Sequence, residues 1–231
     1  MPIERRDFLT VAGTVVAGLA VAPSVAAAEN TSPPTSRYEI APLAFDPQKV
    51  KGFSEKMLRS HYDNNYSGAV KRLNAITEQL TALNFDTAPG FTVNGLKREE
   101  LIAANSMILH EIYFSQLGEA NDPGKALGEA IARDFGSFNQ WRTEFVAMGK
   151  AEGGGSGWVV MSYSPHDKRL RNVWAADHTT MLAGGDPILV MDMYEHAYQM
   201  DFGAKAGDYV TAFMGALNWK SADQRYQQRR V

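Results

Sequence analysis

AEGGGSGWVVMSYSPHDKRLRNVWA, residues 151–175, is where the chain changes character. Gly153-Gly154-Gly155-Ser156-Gly157 ends a helix-forming half, because a run of glycines gives up too much backbone freedom to remain helical. Beyond it, Trp158–Tyr163 and Leu170–Ala175 are rich in β-branched and aromatic residues and flank the turn-forming Ser164-Pro165-His166-Asp167-Lys168. That pattern predicts a β-hairpin. Pro187-Ile188-Leu189-Val190-Met191 is a short apolar run fit for a third, buried strand.

Upstream, the pattern is helical. From Ser54 onward, Met57, His61, Ala69, Leu73, Ile76 and Leu80 recur at spacings of three, four and eight. Asp86–Gly95 holds Pro89, Gly90 and Gly95 and reads as a loop. A second helix is expected over about Lys97–Leu117, with Ala103, Met107, His110, Phe114 and Leu117 on one stripe. Two long helices joined by one loop form an antiparallel hairpin. Pro123-Gly124 breaks the chain, Lys125–Lys150 reads as helix interrupted at Gly136-Ser137, and Tyr209–Trp219 returns to helix. Helices, then strands, then helix define an α+β class rather than a doubly wound sheet. The expected domains are a helical hairpin over residues 38–122 and an α/β domain over residues 123–231.

The chain has 231 residues, no Cys and a formal charge of −3. Without Cys there is no disulfide, thiolate nucleophile or iron–sulfur cluster, so a metal must be held by His, Asp, Glu or water. The acidic balance and the lack of a Lys/Arg run exclude a nucleic-acid binder that relies on a basic face. Arg5-Arg6-Asp7-Phe8-Leu9 opens an uncharged Ala/Val/Gly-rich run that ends in Ala26-Ala27-Ala28 before Glu29. It resembles a twin-arginine export signal over residues 1–28; a membrane anchor is the alternative reading. A cleaved signal implies a periplasmic or exported protein with no stable membrane association, and residues 29–37 form a Pro/Ser/Thr-rich lead-in.

Five histidines bear on chemistry. His166 lies in the polar turn and is read as solvated. His61 and His110 each sit on an apolar stripe, where a lone His is commonly a satisfied core residue. Facing one another across antiparallel helices, they also suit a shared ligand site. Asp192-Met193-Tyr194-Glu195-His196 adds a carboxylate and an imidazole four residues apart, directly after an apolar strand. Three His and one Asp form a borderline-to-hard donor set suited to iron, manganese or zinc. Phe114 stands where a zinc-protease helix needs its second His, and no Glu-x-x-His pair supports a di-iron site.

The whole pattern resembles the iron/manganese superoxide dismutase family over about Tyr38–Trp219. It rests on Tyr38-Glu39-Ile40-Ala41-Pro42-Leu43, His61-Tyr62, Asn105, His110-Glu111-Ile112-Tyr113-Phe114, Asp134-Phe135-Gly136-Ser137, Gly155-Ser156-Gly157-Trp158, Asp192–Tyr198 and Leu217-Asn218-Trp219, in the family's order. The resemblance implies a three-stranded antiparallel sheet in the C-terminal domain. It also implies one iron or manganese ion per subunit, bound by His61, His110, Asp192 and His196, and disproportionation of superoxide in a homodimer. Glu195 would orient the partner's metal ligand across the interface; as a surface carboxylate it would do nothing of the kind.

Around those ligands the chain departs from the family. Asn65 and Ala69 stand four and eight residues after His61, where the family carries a His and a Tyr. Gln199 replaces the family's second Tyr, so an Asn65–Gln199 amide contact is expected at the interface. Phe114, Val160 and Tyr194 thin the usual tryptophan cage, which Trp158 retains. Tyr66 is the nearest remaining phenol and a candidate proton donor, although it falls on another helix face. Ser106 is too short to reach metal-bound solvent, so that role falls to His178, which modestly favours iron; a surface-loop His178 is the alternative. Two functions from different classes follow: an exported dismutase with altered surroundings to its metal, or an exported metal-binding scaffold or carrier without useful dismutase activity.

Overall fold

The first helix begins where the Ser54 Oγ accepts a hydrogen bond from the Met57 N–H at 3.1 Å, capping α1 (Glu55–Ser60). The computed structural model describes residues 37–153 and 155–229. The export-signal segment, residues 1–28, and most of the lead-in lie outside the described residues. After α1 the chain passes into a π-helical segment, His61–Tyr66, and then α2 (Ser67–Ala82); the Ser67 N–H reaches back five residues to the Tyr62 carbonyl. Eight residues of regular helix would set Ala69 about 80° round from His61. The widened turn removes most of that offset, which explains why the irregular spacing of eight still belongs to one buried stripe.

The Asp86–Gly95 loop expected from Pro89, Gly90 and Gly95 is shorter than its composition predicts. Helix α3 spans Gly90–Ser115, and Pro89 starts it by accepting bonds from the Thr92 and Val93 N–H groups at 2.9 and 3.2 Å. A side chain at Gly90 or Gly95 would meet open space, so neither glycine breaks the helix. Packing along α2 outweighs about 1 kcal/mol of lost propensity per glycine.

Helices α4 (Lys125–Phe135) and α5 (Phe138–Glu152) are separated at Gly136-Ser137, as expected. They cover a three-stranded antiparallel sheet of β1 (Trp158–Ser164), β2 (Arg169–Ala175) and β3 (Asp186–Asp192), ordered β2-β1-β3. β1 is buried almost throughout, while β2 alternates and carries an exposed edge. Gly149 lets α5 approach β3 and the later segment around Val210, since a side chain there would collide with Met191 and Val210.

The helix expected over Tyr209–Trp219 stops early, at Gly215. The short α6 (Gln199–Phe202) precedes α7 (Ala206–Gly215), and α8 spans Lys220–Arg229. The break has a hydrogen-bonding cause: Leu217 bridges Leu117, the Asn218 N–H donates to Gln116 O at 2.8 Å, and the Gly118 N–H donates to Ala216 O at 3.0 Å. Backbone groups given to the end of α3 cannot also continue a helix.

Gln116 completes this junction. Its side chain donates to the Val190 carbonyl and accepts from the Val190 N–H at 3.2 Å, capping the free edge of β3 in the core. Gln116→Leu should therefore leave two buried backbone groups unpaired, with a loss of about 2–4 kcal/mol in denaturant unfolding. Unchanged stability would show that this edge needs no cap.

Candidate metal centre

Four side chains meet where the helical half faces the end of β3. His61 comes from the π-helical segment, His110 from the penultimate turn of α3, Asp192 from the last residue of β3, and His196 from the single turn Glu195–Ala197. One donor atom from each lies within 4.8 Å of all the others. Asp192 Oδ2 is 3.1 Å from His61 Nε2, 3.2 Å from His196 Nε2 and 3.6 Å from His110 Nε2.

Much of this closeness is not hydrogen bonding. Nε2 of His61 and of His110 are both buried without a hydrogen-bond partner. The Nδ1 of His110 faces the Ser106 carbonyl at 2.6 Å, and since a carbonyl only accepts, Nδ1 carries the proton and Nε2 presents its lone pair. Buried lone pairs that converge on a carboxylate oxygen, rather than bond one another, fit a shared cation; the donor set suits iron or manganese.

The protein holds these donors from behind. Asp192 Oδ1 accepts the Tyr194 N–H at 2.9 Å, its carbonyl accepts the Tyr209 hydroxyl at 2.6 Å, and the Met193 N–H donates to Gly157 O at 2.9 Å. The start of α1 is fixed to α6 by Asp201, whose carboxylate accepts from the Ser54 N–H at 2.7 Å and its Oγ at 2.6 Å. Electrostatics agree. Burial lowers the His61 imidazole and takes that of His110 down to about 3, so both are neutral ligands at physiological pH. Burial alone would raise the Asp192 carboxyl, but His196 and His61 overcome it and hold the group well below the usual carboxylate range.

The remaining predicted residues fall in several places. His178 is half-buried, and its Nδ1 accepts from Trp158 Nε1–H at 3.0 Å. An indole only donates, so neutral His178 carries its proton on Nε2 and keeps a donor free. Trp158 also packs edge-on against His110, with centroids 5.2 Å apart. Tyr194 lies between His178 and His196, at 4.9 and 5.3 Å. Asn65, Ala69, Ser106 and His178 line one cavity. Glu195 and Gln199 are exposed, and so is His166. Tyr66 is corrected: its hydroxyl accepts from the Ala41 N–H at 2.8 Å and donates to Glu111 at 3.1 Å, and burial pushes it up to about 12. Committed to those partners, it is a packing residue behind Phe114, not a proton donor at the cluster.

A His₃Asp cluster between a helical hairpin and a three-stranded sheet is the donor set of a metal-binding protein. Residues 123–225 match the family model for iron/manganese superoxide dismutases, C-terminal domain. The chain is 61% identical to a superoxide dismutase [Fe] of Cupriavidus metallidurans over 189 residues, covering 82% of this chain and 96% of that protein. It is 34% identical to superoxide dismutase [Mn] 1 of Halobacterium salinarum, with 84% and 96% covered, and 31% identical to a superoxide dismutase [Fe] of Aquifex pyrophilus, with 78% and 87% covered. The chain belongs to the iron/manganese superoxide dismutase family.

Sequence reasoning did not single out Tyr209 or Glu152. Neither has a local signal, because each acts on a residue distant in sequence. Glu152, at the end of α5, is buried with both carboxylate oxygens unpartnered. Burial, with the negative Asp192 nearby, raises it to about 7. Its folded value thus exceeds its unfolded one, so its penalty is absent below about pH 4.5, grows as pH rises and is complete above about pH 7. Glu152→Gln should match the parent in stability near pH 4.5–5 and exceed it by about 1–3 kcal/mol at pH 8, read by denaturant unfolding of the metal-loaded protein. Equal stability at both pH values would mean that the carboxylate finds a partner.

Proposed function

We propose that this protein is an exported superoxide dismutase with one metal ion per subunit, iron in preference to manganese, acting as a homodimer. The observation that carries the activity is the complete cluster of His61, His110, Asp192 and His196, the first three buried, with the unpartnered Nε2 atoms of His61 and His110 aimed at one point. A carrier or scaffold without turnover is not favoured, because 61% identity joins the chain to a protein named for this activity. Bound iron or manganese supplies the one-electron couple by which one superoxide is oxidised to oxygen and a second, with two protons, is reduced to hydrogen peroxide.

The chain's own residues set the conditions for that chemistry. A metal-bound imidazole is neutral, so three such ligands and one carboxylate would give a ligand set of charge −1, which favours the higher oxidation state without locking it. The His178 Nε2–H is a donor that belongs to no ligand, on a ring 6.3 Å from that of His110 and held in that tautomer by Trp158. Asn65 and Ala69 stand where the family's ionisable pair is expected, and an amide donates a hydrogen bond without releasing its proton. Protons therefore arrive through solvent in the cavity that these residues share with His178.

Iron is supported by the identity to the Cupriavidus protein and by His178 in the solvent-bonding position. Exposed Glu195, one residue before His196, is available to bond a partner subunit's ligand. Among the described residues no helix is long and apolar enough to cross a membrane. Export rests on Arg5-Arg6 and the run that follows. Arg5-Arg6→Lys-Lys should leave the full-length chain in the cytoplasmic fraction; undiminished export would remove the twin-arginine reading. Stopped-flow decay of superoxide on protein loaded separately with iron and with manganese should be fast with iron, slower with manganese and abolished by His196→Ala. One bound ion per chain without decay would leave metal holding as the function.

A further inference from the structure

Phe114 touches both the metal cluster and a second, smaller pocket. Its ring centroid is 5.0 Å from that of His61 and 6.4 Å from that of His110. It also packs against Tyr62 and Tyr66, at 5.6 and 6.2 Å. These three rings, with residues 41–44, border a pocket of about 90 Å³ that shares no lining residue with the cavity of Asn65 and His178.

The lining is almost wholly apolar, because the polar ends of its side chains are committed elsewhere. The Tyr62 hydroxyl donates to Ala41 O at 2.8 Å, and the Tyr66 hydroxyl accepts the Ala41 N–H at 2.8 Å while donating to Glu111 at 3.1 Å. Ser115 Oγ donates to Ile112 O at 2.8 Å and accepts from Arg225 Nη1 at 3.0 Å. Both backbone groups of Ala41 are thereby taken, which fixes the segment over the rings. An occupant meets mainly ring faces and the side chains of Pro42 and Leu43.

Size and chemistry together limit that occupant. Apolar cavities of about 150 Å³ stay dry and take up benzene or xenon, so one of about 90 Å³ suits something smaller than benzene. A water needs about two to four polar partners and finds few here. Superoxide would lose the hydration of its charge without compensation, and hydrogen peroxide would leave its hydroxyls unpaired. Dioxygen carries neither cost.

We propose that this pocket takes up dioxygen formed at the metal cluster, giving the neutral product a place that the charged substrate cannot occupy. The inference rests on the dismutase reading for its occupant, whereas the affinity of the pocket for a neutral gas does not.

The test uses crystals of the iron-loaded protein pressurised with xenon, with oxygen, and with helium as the control. Xenon should give one anomalous peak in contact with Phe114 and Leu43, and oxygen a diatomic feature at the same place. Leu43→Trp, which adds bulk to the pocket from residues 41–44, should abolish both, and Leu43→Ala should keep them. Leu43→Phe should lower xenon occupancy, and it carries the test if the tryptophan variant does not fold. In stopped flow, the filled variant should lose about twofold in kcat with kcat/KM unchanged, since product release enters the first quantity and not the second. Leu43→Ala should match the parent in both. An ordered water in the pocket under every gas, or a xenon site whose filling leaves kcat untouched, would overturn the proposal. If the parent does not turn over superoxide, the dismutase reading fails, and the xenon map still decides whether the pocket takes a neutral gas.

Discussion

The Asp192 carboxylate is fully buried, ionised and surrounded by three imidazoles, and most of the structure is arranged around that charge. A buried carboxylate without compensation is among the most costly groups a protein can contain. Here one oxygen is satisfied by the Tyr194 N–H, while the other meets His196 Nε2 at 3.2 Å and faces the unpartnered Nε2 atoms of His61 and His110. Four elements from both halves of the chain supply those neighbours, so the donor set exists only once the hairpin has docked against β3. Binding a cation that is absent from the unfolded state then stabilises the docked arrangement, and folding and metal uptake are linked.

The same constraint accounts for the irregularities of the helical half. A straight helix through Ser54–Ala82 would leave His61 and Ala69 on diverging faces. The π-helical turn at His61–Tyr66 brings the ligand and the cavity wall to one side, at the cost of weaker local hydrogen bonding. At the other end of α3, Gln116 and Leu117 leave the helix to pair with Val190 and Leu217, fixing the segment that carries His110 against the strand that carries Asp192. Asp201 performs the corresponding task for α1, tying its first residue to the chain just beyond His196.

How much of this was legible in the sequence depended on the range of the interaction. The hairpin of helices, the β-hairpin and the third strand follow from periodicity and turn chemistry, which act over a few residues; the strand bounds agree within one residue, whereas α3 begins seven residues before the expected Lys97. The four ligands were legible because the resemblance tied three separate segments together; spacing alone left His61 and His110 as plausible core residues. The failures were long-range. Gly90 and Gly95 read as loop because propensity is local, whereas the packing of α3 as a whole against α2 is not. Tyr209–Trp219 read as one helix because nothing in it announces that Gln116 takes the Asn218 N–H. Tyr66 was misassigned for the same reason: its partners Ala41 and Glu111 are 25 and 45 residues away.

The surroundings of the metal show which constraints are strict. The ligands, the indole that fixes His178 and the tyrosine that holds the Asp192 carbonyl each have one group that must sit at one place. Asn65 and Ala69 border a cavity instead, so no single group is required at either position to hold a ligand. Disproportionation needs a short path for two protons and an anion, but any hydrated path with the right electrostatics will serve. A phenol and an imidazole fixed in the wall are one way to meet that need. A cavity bordered by Asn65, Ala69 and His178, with room for mobile water, is another, since solvent can carry protons where no side chain is positioned to donate them.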